Sequence, residues 1–353
     1  MDQAELSEIV SGIPIPAFLI AGNARVQTMN TAANALFGAE VQGRHYVTAL
    51  RQPAILRAIE EALRTRSRTT GHYTVSGDVS DQRFRVTAAP LGPDAVSGIL
   101  VCLEDITPLY EAGQMRRDFV ANVSHELRTP LTALMGFIDT LQGPARDDAA
   151  ARARFLGVMA REAGRMNRLV GDLLSLSRVE FSERQKPEDR IKLSDVLRAS
   201  RAMLAPEAGQ DAVHLDLGAG EGQSDIVLGE ADQLRQVFNN LIENALKYGG
   251  AESPVEVRLS LTDQDPYLRS PAVRVDVRDH GPGIAAHHIP RLTERFYRVD
   301  EHRSRELGGT GLGLAIVKHI VQRHRGRLAI TSEPGAGACF SVIIPTAGAA
   351  PRS

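Results

Sequence analysis

Asp232-Gln-Leu-Arg-Gln-Val-Phe-Asn-Asn240-Leu-Ile-Glu-Asn244-Ala-Leu-Lys247-Tyr248 decides how this 353-residue chain is read. As a helix, the stretch sets Asn240, Asn244, Lys247 and Tyr248 on one side. Neutral amide oxygens, a cation and an aromatic ring are the parts needed to hold a magnesium ion, phosphates and a purine. Strand-like runs at 255–261, 272–278, 327–332 and 338–345 flank this helix, so residues 191–347 read as a compact α/β domain.

Two glycine loops follow. Asp279-His-Gly281-Pro-Gly283-Ile284 comes directly after a strand; its glycines permit close backbone approach and its carboxylate can accept from an exocyclic amine. Gly308-Gly309-Thr310-Gly311-Leu312-Gly313-Leu314 opens a helix, where free amides and the helix dipole suit phosphate. A lone Gly-x-Gly-x-Gly is often just a turn. A dinucleotide fold is disfavoured because the preceding residues 300–306 are polar rather than a strand. The Gly-x-x-x-x-Gly-Lys-[Ser/Thr] phosphate loop is absent from the sequence. The three elements in this order are far more specific than any one of them.

Upstream, Thr107 and Pro108 give a helix start, with Thr107 as N-cap. Met115, Phe119, Val123, Leu127, Leu131, Leu134, Ile138 and Leu141 then recur at helical steps. Gly143 to Asp148 breaks the pattern. A second stripe follows through Phe155, Val158, Met159, Met166, Leu169, Val170, Leu173 and Leu176. Two long helices and a short loop form a hairpin over residues 107–181 whose apolar stripe one copy leaves half covered. A homodimeric four-helix bundle is the expected solution.

His125 lies on the first of these helices, beside Glu126 and four residues before Thr129. A neutral imidazole is a competent nucleophile when a carboxylate steadies its other ring nitrogen. Pro130 removes the amide that would bond the Glu126 carbonyl, so a bend is expected just past the histidine. A lone histidine on a solvated helix face is the bland alternative. A zinc His-Glu-x-x-His site is excluded because position 129 is threonine.

Residues 1–106 alternate short runs with turn signals: Ala17 to Ile20, the turn Gly22-Asn23, Val26 to Met29, then Phe84 to Ala88 and Ser97 to Leu103. That is a small α+β domain. Residues 182–190 read as a polar linker and 348–353 as a disordered tail. Net charge is −2, so nothing argues for bulk binding to nucleic acid. Two cysteines without metal-ligand spacing suit a reducing cytoplasm. The best N-terminal apolar run, Ile13 to Ala21, is interrupted by Pro14 and Pro16 and falls short of the roughly 20 residues a spanning helix needs.

Taken together, the motifs resemble those of the two-component sensor histidine kinases. Ser124-His125-Glu126-Leu127-Arg128-Thr129-Pro130 is similar to the phosphoacceptor box. This implies that His125 is phosphorylated, with Glu126 and Thr129 serving the chemistry, and that the hairpin dimerises. Asn240 to Tyr248 is similar to the asparagine box, implying Mg–ATP contacts for Asn240, Asn244, Lys247 and Tyr248, with Asn244 on the metal. Asp279, Gly281 and Gly283 match the first glycine box, implying that Asp279 reads adenine. Gly309, Thr310, Gly311, Leu312 and Gly313 match the second, implying that they line the phosphates. Arg295-Phe296-Tyr297-Arg298 resembles the phenylalanine box, implying Phe296 and Arg298 in a lid over ATP. The fold implied for 191–347 is the α/β sandwich shared with gyrase-type (GHKL) ATPases. Arg325 departs from the pattern, since relatives often carry glycine there.

The N-terminal segment, from Ile13-Pro-Ile-Pro through Asn30 and Gly38 to Thr107, resembles a PAS sensor module. His45 and His72 read as solvated histidines before haem ligands, and Cys102 as packing. Within the family, Phe119 to His125 and Gly136 to Gln142 look most like phosphate-regulon sensor kinases. Those usually carry membrane helices ahead of the PAS domain. Either this chain is cytoplasmic and listens to a membrane sensor partner, or an anchor lies outside the sequence. The expected partner is the receiver domain of a separate response regulator, dephosphorylated as well as phosphorylated. A non-catalytic ATP-binding scaffold and a gyrase-like ATPase or chaperone are the competing classes.

Overall fold

The computed structural model describes residues 3–76, 81–91, 98–181, 187–209, 211–218, 225–249, 254–300 and 308–348. The chain divides into two compact units, residues 1–121 and 122–353.

The first unit is α+β, as its alternating runs imply. Strands β1 (Ala17–Ile20), β2 (Val26–Met29), β3 (Thr69–Val75), β4 (Gln82–Pro90) and β5 (Ile99–Asp105) form an antiparallel sheet in the order β2-β1-β5-β4-β3. Helices α1 (Gln3–Ser11), α2 (Thr31–Phe37), α3 (Tyr46–Leu50) and α4 (Pro53–Thr65) accompany it, and Phe18, Ile55, Ile59, Val86 and Leu103 fill its core. Buried Asn30 organises the entry to the domain. Its Oδ1 accepts from Ala17 N and Ala33 N, capping α2, while Nδ2 donates to the Ile13 and Ile15 carbonyls. The strand expected at 97–103 begins at Ile99, and Ser97 lies outside the described residues.

Helix α5 (Thr107–Gln142) carries His125. Thr107 is not its N-cap. The Ile106 carbonyl accepts the first helical bond from Tyr110, and the Thr107 hydroxyl accepts from Arg83 N on β4 instead. Asp105, whose Oδ1 accepts from Thr107 N at 2.8 Å, satisfies the helix start in its place. Helix α6 (Ala149–Phe181) returns antiparallel, capped by Asp148, whose Oδ1 accepts from Ala151 N. Phe137 and Phe155 stack across the turn at 5.2 Å. Pro130 sits inside α5 without ending it.

The rest of the second unit is the α/β layer expected of residues 191–347. Its short elements are β6 (Arg190–Lys192), β7 (Val213–Asp216) and β8 (Ile226–Leu228), with α7 (Leu193–Ala208) and α8 (Ala231–Tyr248) among them. Strand β6 takes the last residue of the expected linker, whose residues 182–186 lie outside the described residues, as do 349–353 of the tail. Strands β9 (Val255–Thr262) and β10 (Ala272–Arg278), helix α9 (Gly313–Arg323), and strands β11 (Arg327–Ser332) and β12 (Ala338–Pro345) complete the layer. The sheet order is β11-β12-β10-β9-β7, antiparallel except for the parallel β7–β9 pair, while β6 and β8 pair separately. Helices α7, α8 and α9 cover one sheet face, and the buried side of α8 is Leu234, Val237, Phe238, Leu241 and Ala245. Arg325, where relatives often have glycine, sits just past α9 with a positive φ, in the left-handed region that glycine enters without strain.

Helix α6 also packs against α9. Leu169 and Leu176, expected on the dimer stripe, are buried within the single chain. By contrast, Leu131, Met135 and Ile138 on α5 and Val170 and Leu174 on α6 stay exposed. The hairpin therefore has two apolar surfaces, one covered by its own chain and one open.

Candidate functional site

A cavity of about 540 Å³ opens between α6, α8, the β10 loop and the loop before α9. From α8 come Asn240, Glu243, Asn244, Lys247 and Tyr248, the helix face expected from their spacing. Around the end of β10 lie Asp279, Pro282, Gly283 and Ile284, backed by Ala338 and Phe340 of β12. Gly309, Thr310, Gly311 and Gly313 form a third wall, and Tyr297, Arg298 and Val299 another side.

Asp279 is set from both sides. Its Oδ1 accepts from Gly281 N at 2.9 Å and from Ala338 N at 3.2 Å, and its own N–H donates to the Ala338 carbonyl. Among the described residues Oδ2 takes no hydrogen bond, so a buried carboxylate keeps one acceptor for a ligand. Gly283 is obligatory: its φ is positive, and a Cβ there would run into the Glu333 carbonyl oxygen. Gly283→Ala should destabilise the nucleotide domain by about 1–2 kcal/mol from the left-handed backbone alone, before the clash is counted. Denaturant melts would show this, and a midpoint equal to that of the unsubstituted chain would contradict the geometry.

Of the expected site residues, Gly281, Phe296 and Leu312 do not line the cavity. Gly281 is a packing position, because its Cβ would meet the Tyr248 carbonyl oxygen. Phe296 takes a positive φ and donates its N–H to the Gly311 carbonyl at 2.8 Å, tying its segment to the glycine loop. Leu312 is fully buried, anchoring the start of α9. His125 and Thr129 are exposed on α5, outside the cavity wall, and the Thr129 hydroxyl donates to the His125 carbonyl at 3.2 Å.

Glu126 connects the two regions. Its carboxylate accepts from Arg165 of α6 at 2.6 Å and from Arg298, a cavity residue, at 3.0 Å. The Arg298 side chain is 5% exposed. Arg165, Arg168 and Asp172 carry no local motif in the sequence, because they lie on the second hairpin helix and reach the site only through tertiary packing. Tyr297, another cavity residue, is fixed from outside by His288 Nδ1, 2.5 Å from its hydroxyl, and by the Arg291 guanidinium over its ring. Burial pushes the His288 pKa down, reinforced by His287 and Arg291.

The donor set suits a magnesium nucleotide. The cavity volume falls in the range of small-molecule sites. Lys247, Arg298 and Arg168 supply cations, and Asn240 and Asn244, one turn apart, supply amides. Asn240 Nδ2 is buried and lacks a partner among the described residues, which leaves it available to an acceptor in the cavity.

Residues 229–348 match the family model of the histidine kinase-, DNA gyrase B- and HSP90-like ATPases, and residues 115–182 match the His Kinase A phosphoacceptor domain. The two spans together cover more than half of the chain. The chain belongs to the sensor histidine kinases. It is 41% identical over 243 residues to the phosphate regulon sensor protein PhoR of Pseudomonas aeruginosa, covering 69% of this chain and 53% of that one. It is 36% identical over 250 residues to the sensor protein kinase WalK of Staphylococcus aureus, covering 71% of this chain and 58% of the relative. The chain thus spans little more than half the length of these relatives. The crystal structure of histidine kinase ThkA in complex with response regulator protein TrrA is similar in fold, with a TM-score of 0.50 at 20% identity, covering 96% of this chain and 98% of ThkA.

Proposed function

We propose that this chain phosphorylates its own His125 from Mg–ATP and passes the phosphoryl group to an aspartate of a separate response regulator. The observation that carries this reading is the Arg298–Glu126 ion pair, which joins a nucleotide-type cavity to the side chain next to His125. Asn240, Asn244 and Lys247 would hold the phosphates and the metal, Asp279 Oδ2 the adenine amine, and the Gly309–Gly313 amides the phosphate oxygens. Magnesium would supply charge neutralisation at the transferring group. Neutral His125 offers one ring nitrogen as nucleophile while Glu126 steadies the other and takes its proton, which requires Glu126 to exchange an arginine partner for the imidazole. Incubation with γ-labelled ATP should give an acid-labile phosphoprotein whose label moves to a receiver domain. ATP hydrolysis without a phosphoprotein would support the gyrase-like alternative, and ATP binding without turnover the scaffold.

The functional unit in this reading is a homodimer through residues 107–181. Open apolar positions on α5 and α6, Leu131 among them, support it. Replacing Leu131 and Leu173 by Asp should yield monomers in light scattering, since each buried leucine is worth about 1.5–3 kcal/mol. An unchanged dimer mass would place the interface elsewhere.

We assign residues 1–106 as a PAS-type sensory domain, supported by its five-stranded antiparallel sheet. The 41% identity to PhoR supports phosphate-responsive signalling. Among the described residues no helix is long and apolar enough to cross a membrane. The signal reaches the chain in this reading either from a membrane sensor partner, with the chain in the cytoplasm, or through an anchor outside this sequence.

Thr129 serves the reverse reaction in this account, orienting water against a phospho-aspartate docked at His125. Its hydroxyl now faces the His125 carbonyl and must rotate to do so. Thr129→Ala should keep autophosphorylation and transfer yet lose most dephosphorylation of the partner, a positional effect of several kcal/mol at most. A parallel fall in both activities would assign Thr129 to the helix backbone instead.

A further inference from the structure

Helix α6 brings Asp172 against the glycine loop that opens α9. Thr310 Oγ1 donates to Asp172 Oδ2 at 2.6 Å and accepts from Leu312 N at 3.3 Å. The loop's hydroxyl proton and one of its amides are therefore already committed to a chain of bonds that ends on a carboxylate. Helix N-termini favour anions, and here the anion is supplied by the hairpin. Arg168, one turn earlier on α6, lies beside the same loop, 2.7 Å from where a Cβ on Gly308 would stand. Burial pushes the Asp172 carboxyl above the usual range; the Thr310 bond opposes this, Glu243 adds to it, and Lys247 and Arg168 pull it back.

Resting on the nucleotide reading of the cavity, we infer that Asp172 is a built-in competitor for the phosphate subsite, a hairpin carboxylate that nucleotide phosphates must displace. Asp172 takes the Thr310 hydroxyl proton that the phosphates would use, the Leu312 amide is spent on that same hydroxyl, and Asp172 and the phosphates are both anionic. A triphosphate entering beside Asp172 breaks the Thr310 bond and repels the carboxylate. That bond and the Ser175–Gln236 bond at 2.8 Å are polar ties between α6 and the nucleotide domain. Nucleotide binding thus loosens the domain from α6, the movement needed before the cavity can turn toward His125. Asp172 does not enter the chemistry; it sets the threshold for nucleotide entry.

The test is calorimetry of Mg–ATP on the full chain and on Asp172→Asn, which keeps size and an acceptor for Thr310 but removes the charge. Binding should tighten about 3–10-fold, the size expected for one partly screened charge. Asp172→Glu, which keeps the charge, should show no gain. Hydrogen exchange of the unsubstituted chain gives a readout without any variant: Mg–ATP should speed exchange over residues 169–176. Unchanged or weaker binding by Asp172→Asn, a gain in Asp172→Glu, or slower exchange in α6 would overturn the inference while leaving the nucleotide site standing. Failure of the unsubstituted chain to bind Mg–ATP would overturn both.

Discussion

His125→Gln is expected to abolish autophosphorylation while leaving Mg–ATP affinity within about twofold of the unsubstituted chain, a split that separates chemistry from binding. Glutamine approximates the size and polarity of histidine but lacks a ring nitrogen able to attack phosphorus. His125 is exposed on α5 and takes no part in lining the cavity, so its replacement touches neither Asp279 nor the amides of α8. Labelling would fall to background with binding retained. The chain has 10 histidines, so persistent acid-labile label in this variant would move the acceptor to another of them.

Asn244→Asp should lower autophosphorylation by about 100-fold or more, comparable to losing a principal electrostatic contact at a transferring group. Two effects oppose each other. A carboxylate is the better magnesium ligand, but it adds a negative charge to a cavity that already holds Asp172, Glu243 and Asp279. One charge pair at about 4 Å is worth about 4 kcal/mol at an effective dielectric of about 20. The triphosphate presents several charges against one metal ion, so repulsion wins. Initial labelling rates at saturating magnesium measure the outcome. Rates within about twofold of the unsubstituted chain would remove Asn244 from the metal.

The legible parts of the molecule are those with long, regular patterns. Both hairpin helices and α8 declare themselves by apolar spacing sustained over many turns, and β9, β10, β11 and β12 by alternating or continuous apolar runs between turn signals. Strand β3 does not: Thr-Thr-Gly-His-Tyr-Thr-Val forms a sheet edge whose residues are only partly buried, so its apolar content is thin. Thr107 reads as a cap from its neighbours, yet its hydroxyl answers to β4, a partner far along the chain. The α8 and glycine-loop residues can be read because each sits in a local motif. Arg165, Arg168 and Asp172 cannot, since α6 shows only a helical stripe and its polar residues acquire meaning through packing on α5, on α9 and on the loop before it. The same packing divides the stripe itself, covering Leu169 and Leu176 and leaving Val170 and Leu174 open.

The most direct measurement is the site of label on the unsubstituted chain after incubation with γ-labelled Mg–ATP. One phosphopeptide containing His125 should carry it, labile in acid and stable in alkali, as expected of a phosphoramidate. Acid-stable label on Ser124 or Thr129, label on a peptide lacking His125, or no label at all would contradict it.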